Sequence, residues 1–283
     1  NLVAIEFSSG ASLFSYLPKT YNQKENGVLE HVPDLDGYLL VTRTEAGWQL
    51  KLVSSTLTDG QLCDGFAMSA ARPLLDWSEN KNCATIWNAY TTNGVAKWCY
   101  DGYYRFTPSN YVPTGENYYY RCVASYLIRL MAEQIGVCEA APNLTICMLD
   151  VLVQEQNAYG FWPTQPESEW LSGDFQIADG FYDTRFNTDL IEIFVRANND
   201  LGGGLYLDTV KRYAAFYQAL AEANHAETEN GGWLVADYWH PQLHDLTHTS
   251  LNHLAAECLA AYHLADLLRD ESLRETADKL LLA

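Results

Sequence analysis

The hydrophobic period of this chain changes once, just after Pro113, and that change limits the fold more than any other feature. Before it, from about Asp36 to Phe106, the pattern is that of strands. Tyr38 to Thr44 and Trp48 to Ser54 are joined by Glu45-Ala46-Gly47. Thr85 to Thr92 and Val95 to Tyr100 flank Asn93-Gly94, two residues that tolerate the positive φ of a tight hairpin turn. Asp101-Gly102 turns the chain again into Tyr103 to Phe106. The pattern predicts an antiparallel meander.

After Pro113 the spacing is helical. Val123, Leu127, Leu130, Met131 and Ile135 share one face, and Pro142 suits a first helical position before Leu144, Cys147, Met148, Val151 and Leu152. A second pair follows Asp183 with Leu190, Ile191, Phe194 and Val195, breaks at Gly202-Gly203-Gly204, and resumes with Leu207, Val210, Tyr213, Ala214, Tyr217 and Leu220. A third begins near Asp245 with Leu251, Leu254, Cys258, Ala261, Tyr262 and Ala265, then restarts at Glu271. Asp183 and Asp245 stand where a helix cap belongs, a role that contributes about 1 kcal/mol by accepting from unpaired first-turn N–H groups. Asn157-Ala158-Tyr159-Gly160-Phe161-Trp162 and Asn230-Gly231-Gly232-Trp233 repeat at an interval of about seventy residues, the length of one helix pair with its connection. The expected fold is α+β: an N-terminal antiparallel β region over 1–112, then an α/α toroid-like domain of helical hairpins over 113–283.

Composition narrows the partners. With 283 residues, 48% of them hydrophobic, the chain can bury a sizeable core. A formal charge of −19 argues against nucleic acid, whose binding is driven by clustered Lys and Arg. No run reaches the roughly 18 to 20 apolar residues that span a bilayer. The start, Asn1-Leu2-Val3-Ala4, shows no signal pattern and suggests a processed or trimmed form. Seven cysteines with no C-x-x-C spell neither a zinc knuckle nor a disulfide framework. Cys122, Cys147 and Cys258 are expected as small hydrophobes on helical faces. The compartment stays open, with the cell exterior or surface favoured. Nineteen tyrosines, eight tryptophans and ten phenylalanines suit sugar faces as well as ordinary cores.

If the first helix of each pair lines a shared pocket, its first-turn polar residues converge there. They are Glu116, Tyr119 and Tyr120, then Asp183, Arg185 and Asn187, then His244, His248 and Asn252. His248 is spaced to share the core stripe of its helix. The loop that precedes it holds Trp233, Asp237, Tyr238, Trp239 and His240. His240, His244 and His248 have zinc-like spacing, but Pro241 excludes a continuous helix through all three, so no metal or other cofactor is expected. Glu167, Glu169, Asp174 and Asp179 lie beside Trp162, Trp170 and Phe175. Two opposed carboxylates there would be sufficient for glycoside hydrolysis. Trp162, Trp170, Trp233 and Tyr182 are the candidate sugar-stacking residues, with Asn252 and His244 as hydrogen-bonding partners.

From about Tyr118 to Ala283 the chain resembles the C-terminal α/α domain of the D-glucuronyl C5-epimerase family. Gly160-Phe161-Trp162-Pro163 looks like that family's Gly-Gly-Trp-Pro, and Asn230-Gly231-Gly232-Trp233 through Tyr238 and His240 looks like its glycine, tyrosine and histidine loop. His248-Thr249-Ser250 and Leu251-Asn252 look like its histidine, threonine and Ile-Asn run. The resemblance implies proton abstraction at C5 of a uronate in an oligosaccharide or polysaccharide. Tyr238 would fill one tyrosine place. The second departs, since Leu246 and Thr247 stand where the family carries Tyr, so His248 has to act instead. Arg185 would meet the uronate carboxylate. The strong negative charge argues against long sulfated or polyuronate chains. The expectation is an epimerase-like or lyase reaction with Tyr238 and His248 as acid and base. The rivals are a glycoside hydrolase using Asp183 with Asp179 or Glu169, and a glycan-binding or cell-surface module without turnover.

Overall fold

The computed structural model of the chain describes residues 2–75, 101–106, 110–123, 126–242 and 245–283. The hairpin expected around Asn93-Gly94 and the candidate residue His244 lie outside these residues. Strands and helices are both present, so the chain is α+β. Its contacts gather into two compact units. The first comprises Asn1–Ser109, Pro113–Arg121 and Tyr126–Met148; the second comprises Asn110–Val112, Cys122–Ser125 and Leu149–Ala283.

The strands of the first unit begin much earlier than the sequence pattern suggests. In chain order come β1 (Leu2–Glu6), β2 (Ser12–Gln23), β3 (Val28–His31), β4 (Tyr38–Thr44), β5 (Gly47–Val53), β6 (Gln61–Ala70) and β7 (Tyr104–Phe106). After β8 (Tyr111–Val112), which belongs to the second unit, β9 (Tyr118–Arg121) returns to the first. A six-stranded antiparallel sheet runs β1-β2-β3-β9-β7, with β6 along β2. Strand β2 is its axis. Phe14, Ser15, Tyr16, Thr20 and Tyr21 are all at most 1% exposed, so the polar and apolar alternation that marks a half-buried strand is lost.

Pro18 interrupts the β2–β6 register between Tyr16 and Lys19, as fits a residue that has no N–H to give a ladder. Gly65 faces this irregularity, where an added Cβ would lie 2.7 Å from the Tyr16 carbonyl oxygen. The β2–β3 turn uses Asn26 and Gly27 at φ 53° and 66°. The predicted hairpin β4–β5 forms in register from Tyr38↔Val53 to Thr44↔Gly47, as a separate two-stranded sheet.

The helices are α1 (Tyr126–Ala132), α2 (Ala140–Glu155), α3 (Glu169–Phe175), α4 (Thr184–Leu201), α5 (Leu207–Ala223), α6 (Leu251–Leu268) and α7 (Glu271–Leu282). Pro142 is the third residue of α2 rather than its first. Leu144, Met148, Leu149 and Leu152 form the buried face of α2, and Cys147 is exposed.

Asp183 caps α4, accepting from the Phe186 N–H at 2.9 Å, and Gly202, Gly203 and Gly204 end it at φ 71°, 72° and 65°. Leu190, Ile191 and Phe194 are fully buried on its inner face, each contributing roughly 1.5 to 3 kcal/mol of transfer free energy. Helices α4 and α6 lie side by side and run the same way. The Arg185 guanidinium reaches the Asn252 carbonyl near both starts, and Glu192 reaches His263 at 2.7 Å farther along both. Asp270 caps α7 through the Ser272 and Leu273 N–H groups. Among the described residues no helix is long and apolar enough to cross a membrane.

The third helix pair starts later than the pattern suggests. Helix α6 begins at Leu251, because the preceding residues are held extended against the loop that ends at Trp239. Asp237 N–H donates to the His248 carbonyl at 2.9 Å, Tyr238 N–H to the Thr247 hydroxyl at 3.1 Å, and the Thr249 hydroxyl to the Val235 carbonyl at 2.6 Å. His248 therefore precedes the helix instead of sharing its core face. Asp245 is exposed in the bend before this run, and Ser250, not Asp245, stands at the N-cap position of α6.

Candidate functional site

Asp237 organises the chemistry of the second unit. Its side chain is 1% exposed, and its carboxylate accepts from the Ser250 N–H at 2.9 Å and the Ser250 hydroxyl at 2.6 Å. These bonds tie the loop to the start of α6. One carboxylate oxygen also faces two imidazoles, with His248 Nε2 at 3.4 Å and His253 Nδ1 at 3.8 Å. The two histidines differ in access. His248 has 46% of its side chain exposed, whereas His253 is buried and lies 2.6 Å from the Thr184 hydroxyl through Nδ1. Burial pulls His253 below the usual imidazole range, while the Asp237 charge pulls it the other way.

Around His248 stands a wall of rings. Trp170 and Phe175 of α3 lie 5.9 and 5.7 Å from it by ring centroids, and Tyr238 lies 5.8 Å away edge to face. Tyr238 also packs on Trp170, Phe181 and His253. Its strand, β11 (Tyr238–Trp239), pairs with β10 (Tyr182–Asp183), placing Tyr238 opposite Asp183. Burial pushes the Tyr238 phenol well above its usual value, and the Asp183 and Asp237 charges add to the effect. The phenol is thus an acid or hydrogen-bond donor near neutral pH, and not a base.

Behind the site lies a buried polar cluster. Glu257 of α6 is fully buried, and its Oε2 accepts from the Tyr217 hydroxyl at 3.1 Å. Its Oε1 has no hydrogen-bond partner among the described residues. The Thr184 hydroxyl, 2.6 Å from His253, also favours the charged form of this carboxyl, more than Tyr217 does. Burial pushes the Glu257 carboxyl up to about 8, against the hydrogen bonds that favour its charge. Tyr182 and Tyr213 share a 2.9 Å hydroxyl contact in the same interior.

The structure brings together Tyr238, His248, Trp170, Asp183, Arg185 and Asn252. Asp183 is there as the helix cap, 5% exposed. Arg185 is held by Asp189 at 3.0 Å and by the Asn252 carbonyl, with a third of its side chain open.

Three expected sugar platforms are placed otherwise. Trp162 is fully buried, stacked on Phe194, with its indole N–H donating to the Leu152 carbonyl at 2.7 Å. Gly160 makes this possible, since a Cβ there would meet the Arg212 carbonyl oxygen at 2.5 Å. The close approach turns Phe161 and Trp162 inward. Tyr182 is also fully buried. Trp233 already carries neighbours on its ring, His225 at 4.1 Å and the Lys279 ammonium at 3.9 Å.

Asp237, His253, Thr184 and Glu257 went unassigned by the sequence reading. The available signal was Glu257, an acid within the apolar run of a helix. That helix was read with Leu251 and Cys258 on its core face, yet Leu251 is 82% exposed and the buried face is Leu254, Glu257, Ala261 and Leu264. Among the described residues no group of three or more His, Cys, Asp or Glu side chains is placed to hold a metal ion. No protein family, curated protein or solved structure matches the chain.

Proposed function

We propose that this protein is carbohydrate-active and removes the C5 proton of a uronate residue in a glycan, by C5-epimerase-like or lyase chemistry. The observation that carries the reading is the half-exposed His248 imidazole, backed by the buried Asp237 carboxylate and touching the Tyr238 phenol. With Nε2 turned toward Asp237, the other ring nitrogen is open to take a proton, and the carboxylate stabilises the imidazolium that forms. Tyr238 keeps its proton to give. Arg185 is the nearby cation for the substrate carboxylate, whose charge grows as the C5 proton leaves. Trp170 supplies an aromatic face for the sugar. The parallel pairing of α4 with α6, each followed by a returning helix, supports an α/α toroid-like arrangement with the site at the starts of its inner helices.

Hydrolysis has less support. Of the carboxylates it would use, Asp179 and Glu169 are exposed, but Asp183 is committed to capping and shut away from the water that hydrolysis consumes. The test is proton NMR in deuterated water with a panel of uronate oligosaccharides, heparosan fragments among them. Deuterium at C5 or unsaturated uronate signals support the reading. New reducing ends without unsaturation mean a hydrolase, and binding without change means a binding module.

A further inference from the structure

We infer that the site works from one face of the sugar ring and performs β-elimination on uronates whose C5 hydrogen and C4 oxygen are cis, as in glucuronate and mannuronate. The inference rests on the proton-abstraction reading above and adds to it the reaction and the stereochemical class of substrate.

The relationship that decides this is the contact between acid and base. The Tyr238 and His248 rings meet edge to face, with centroids 5.8 Å apart and planes at 61°. Inversion at C5 needs an acid and a base on opposite faces, with the pyranose between them. Each face of a bound sugar needs roughly 3.5 to 4.0 Å to its neighbour, so the two walls of such a slot stand at least about 7 Å apart. The Tyr238 and His248 rings are in contact, and no sugar fits between the two rings. Trp170 and Phe175 close other sides of His248, and Asp237 takes Nε2. The 46% of the His248 side chain that stays exposed lies beside the Tyr238 ring.

Two groups side by side suit elimination. His248 takes the C5 hydrogen as a proton, and the C5–H electron pair becomes the C4=C5 double bond. The C4–O bond breaks with its pair on the glycosidic oxygen, which takes the Tyr238 hydroxyl proton. The products are a 4,5-unsaturated uronate end and a free hydroxyl end, with no water consumed. The imidazolium then gives its proton to solvent at its exposed face and the phenolate takes one back, so both groups are reset. When the C5 hydrogen and C4 oxygen are cis, both project toward the same wall. In iduronate, guluronate and galacturonate they are trans, and one of them faces away.

The experiment compares short oligomers of heparosan and polymannuronate with those of polyguluronate and polygalacturonate, following ultraviolet absorbance of the unsaturated product and NMR in deuterated water. The expected result is unsaturated product from one of the cis oligomers, at least tenfold faster than from either trans oligomer. With Tyr238→Phe, elimination should fall by about 10²- to 10⁴-fold while C5 of the same oligomer still exchanges its proton for deuterium. Product chiefly from the trans oligomers overturns the inference and leaves proton abstraction standing. C5 inversion in an uncut oligomer does the same. No change in any oligomer overturns both.

Discussion

The Thr184 hydroxyl lies 2.6 Å from Nδ1 of His253, well inside the 3.8 Å that separates that nitrogen from the Asp237 carboxylate. A hydroxyl donated into Nδ1 occupies the lone pair that would otherwise take a proton. His253 then stays neutral, and the Asp237 charge serves His248. Thr184→Val should raise the His253 titration midpoint, read by NMR of the ring protons, and lower stability by about 1 to 3 kcal/mol for the unsatisfied partner. An unmoved His253 midpoint would show that Thr184 accepts rather than donates.

Glu257 makes stability depend on pH. Its carboxyl titrates near 4.5 when unfolded and is pushed up to about 8 by burial in the fold. The folded state therefore holds the proton more tightly, and stability falls as pH rises from about 4.5 to about 8, then levels off. The total is on the order of several kcal/mol. Glu257→Gln should flatten this part of the curve, measured by urea unfolding at a series of pH values. Parallel curves for the two proteins would mean that Glu257 is charged in the fold.

We propose that Asp183 serves as a helix cap and takes no part in the chemistry. Asp183→Ala should cost about 1 kcal/mol, while Asp183→Asn, which keeps the accepting oxygen, should change stability little and preserve turnover. A stable Asp183→Asn protein without activity would move this carboxylate into the chemistry.

Trp162 and Trp170 are expected to part ways. Trp162→Ala empties a fully buried position and should cost about 3 to 5 kcal/mol in thermal or urea unfolding. Trp170→Ala should leave the fold nearly intact and weaken binding of uronate oligomers by calorimetry. Weakened binding by a folded Trp162→Phe protein with Trp170 intact would reverse the assignment.

The helices were legible because α4 to α7 each bury one face. Their register was less so: Leu251 anchored the reading of α6, yet tertiary bonds to Val235, Asp237 and Tyr238 hold residues 247–250 extended and delay the helix. Strand β2 was invisible because burial on both faces erases alternation, and Pro18 reads as a break although the sheet takes it up as a register shift. Within the site, Tyr238 and His248 stood out by residue type in a loop. Asp237 and His253 acquire their meaning from partners 13 and 69 residues away in sequence, Ser250 and Thr184, which no local pattern reveals. The Gly160-Phe161-Trp162 segment looked like a loop platform. Only the close backbone approach at Gly160 shows why its aromatic residues point inward.

We propose His248, held by Asp237, as the base. Its most direct test is the rate of unsaturated-product formation by His248→Ala, with and without added imidazole, on heparosan or polymannuronate oligomers. The expected result is a fall of about 10²- to 10⁴-fold, partly restored by imidazole, in a protein that unfolds like the wild type. A His248→Ala protein that works as fast as the wild type would contradict it.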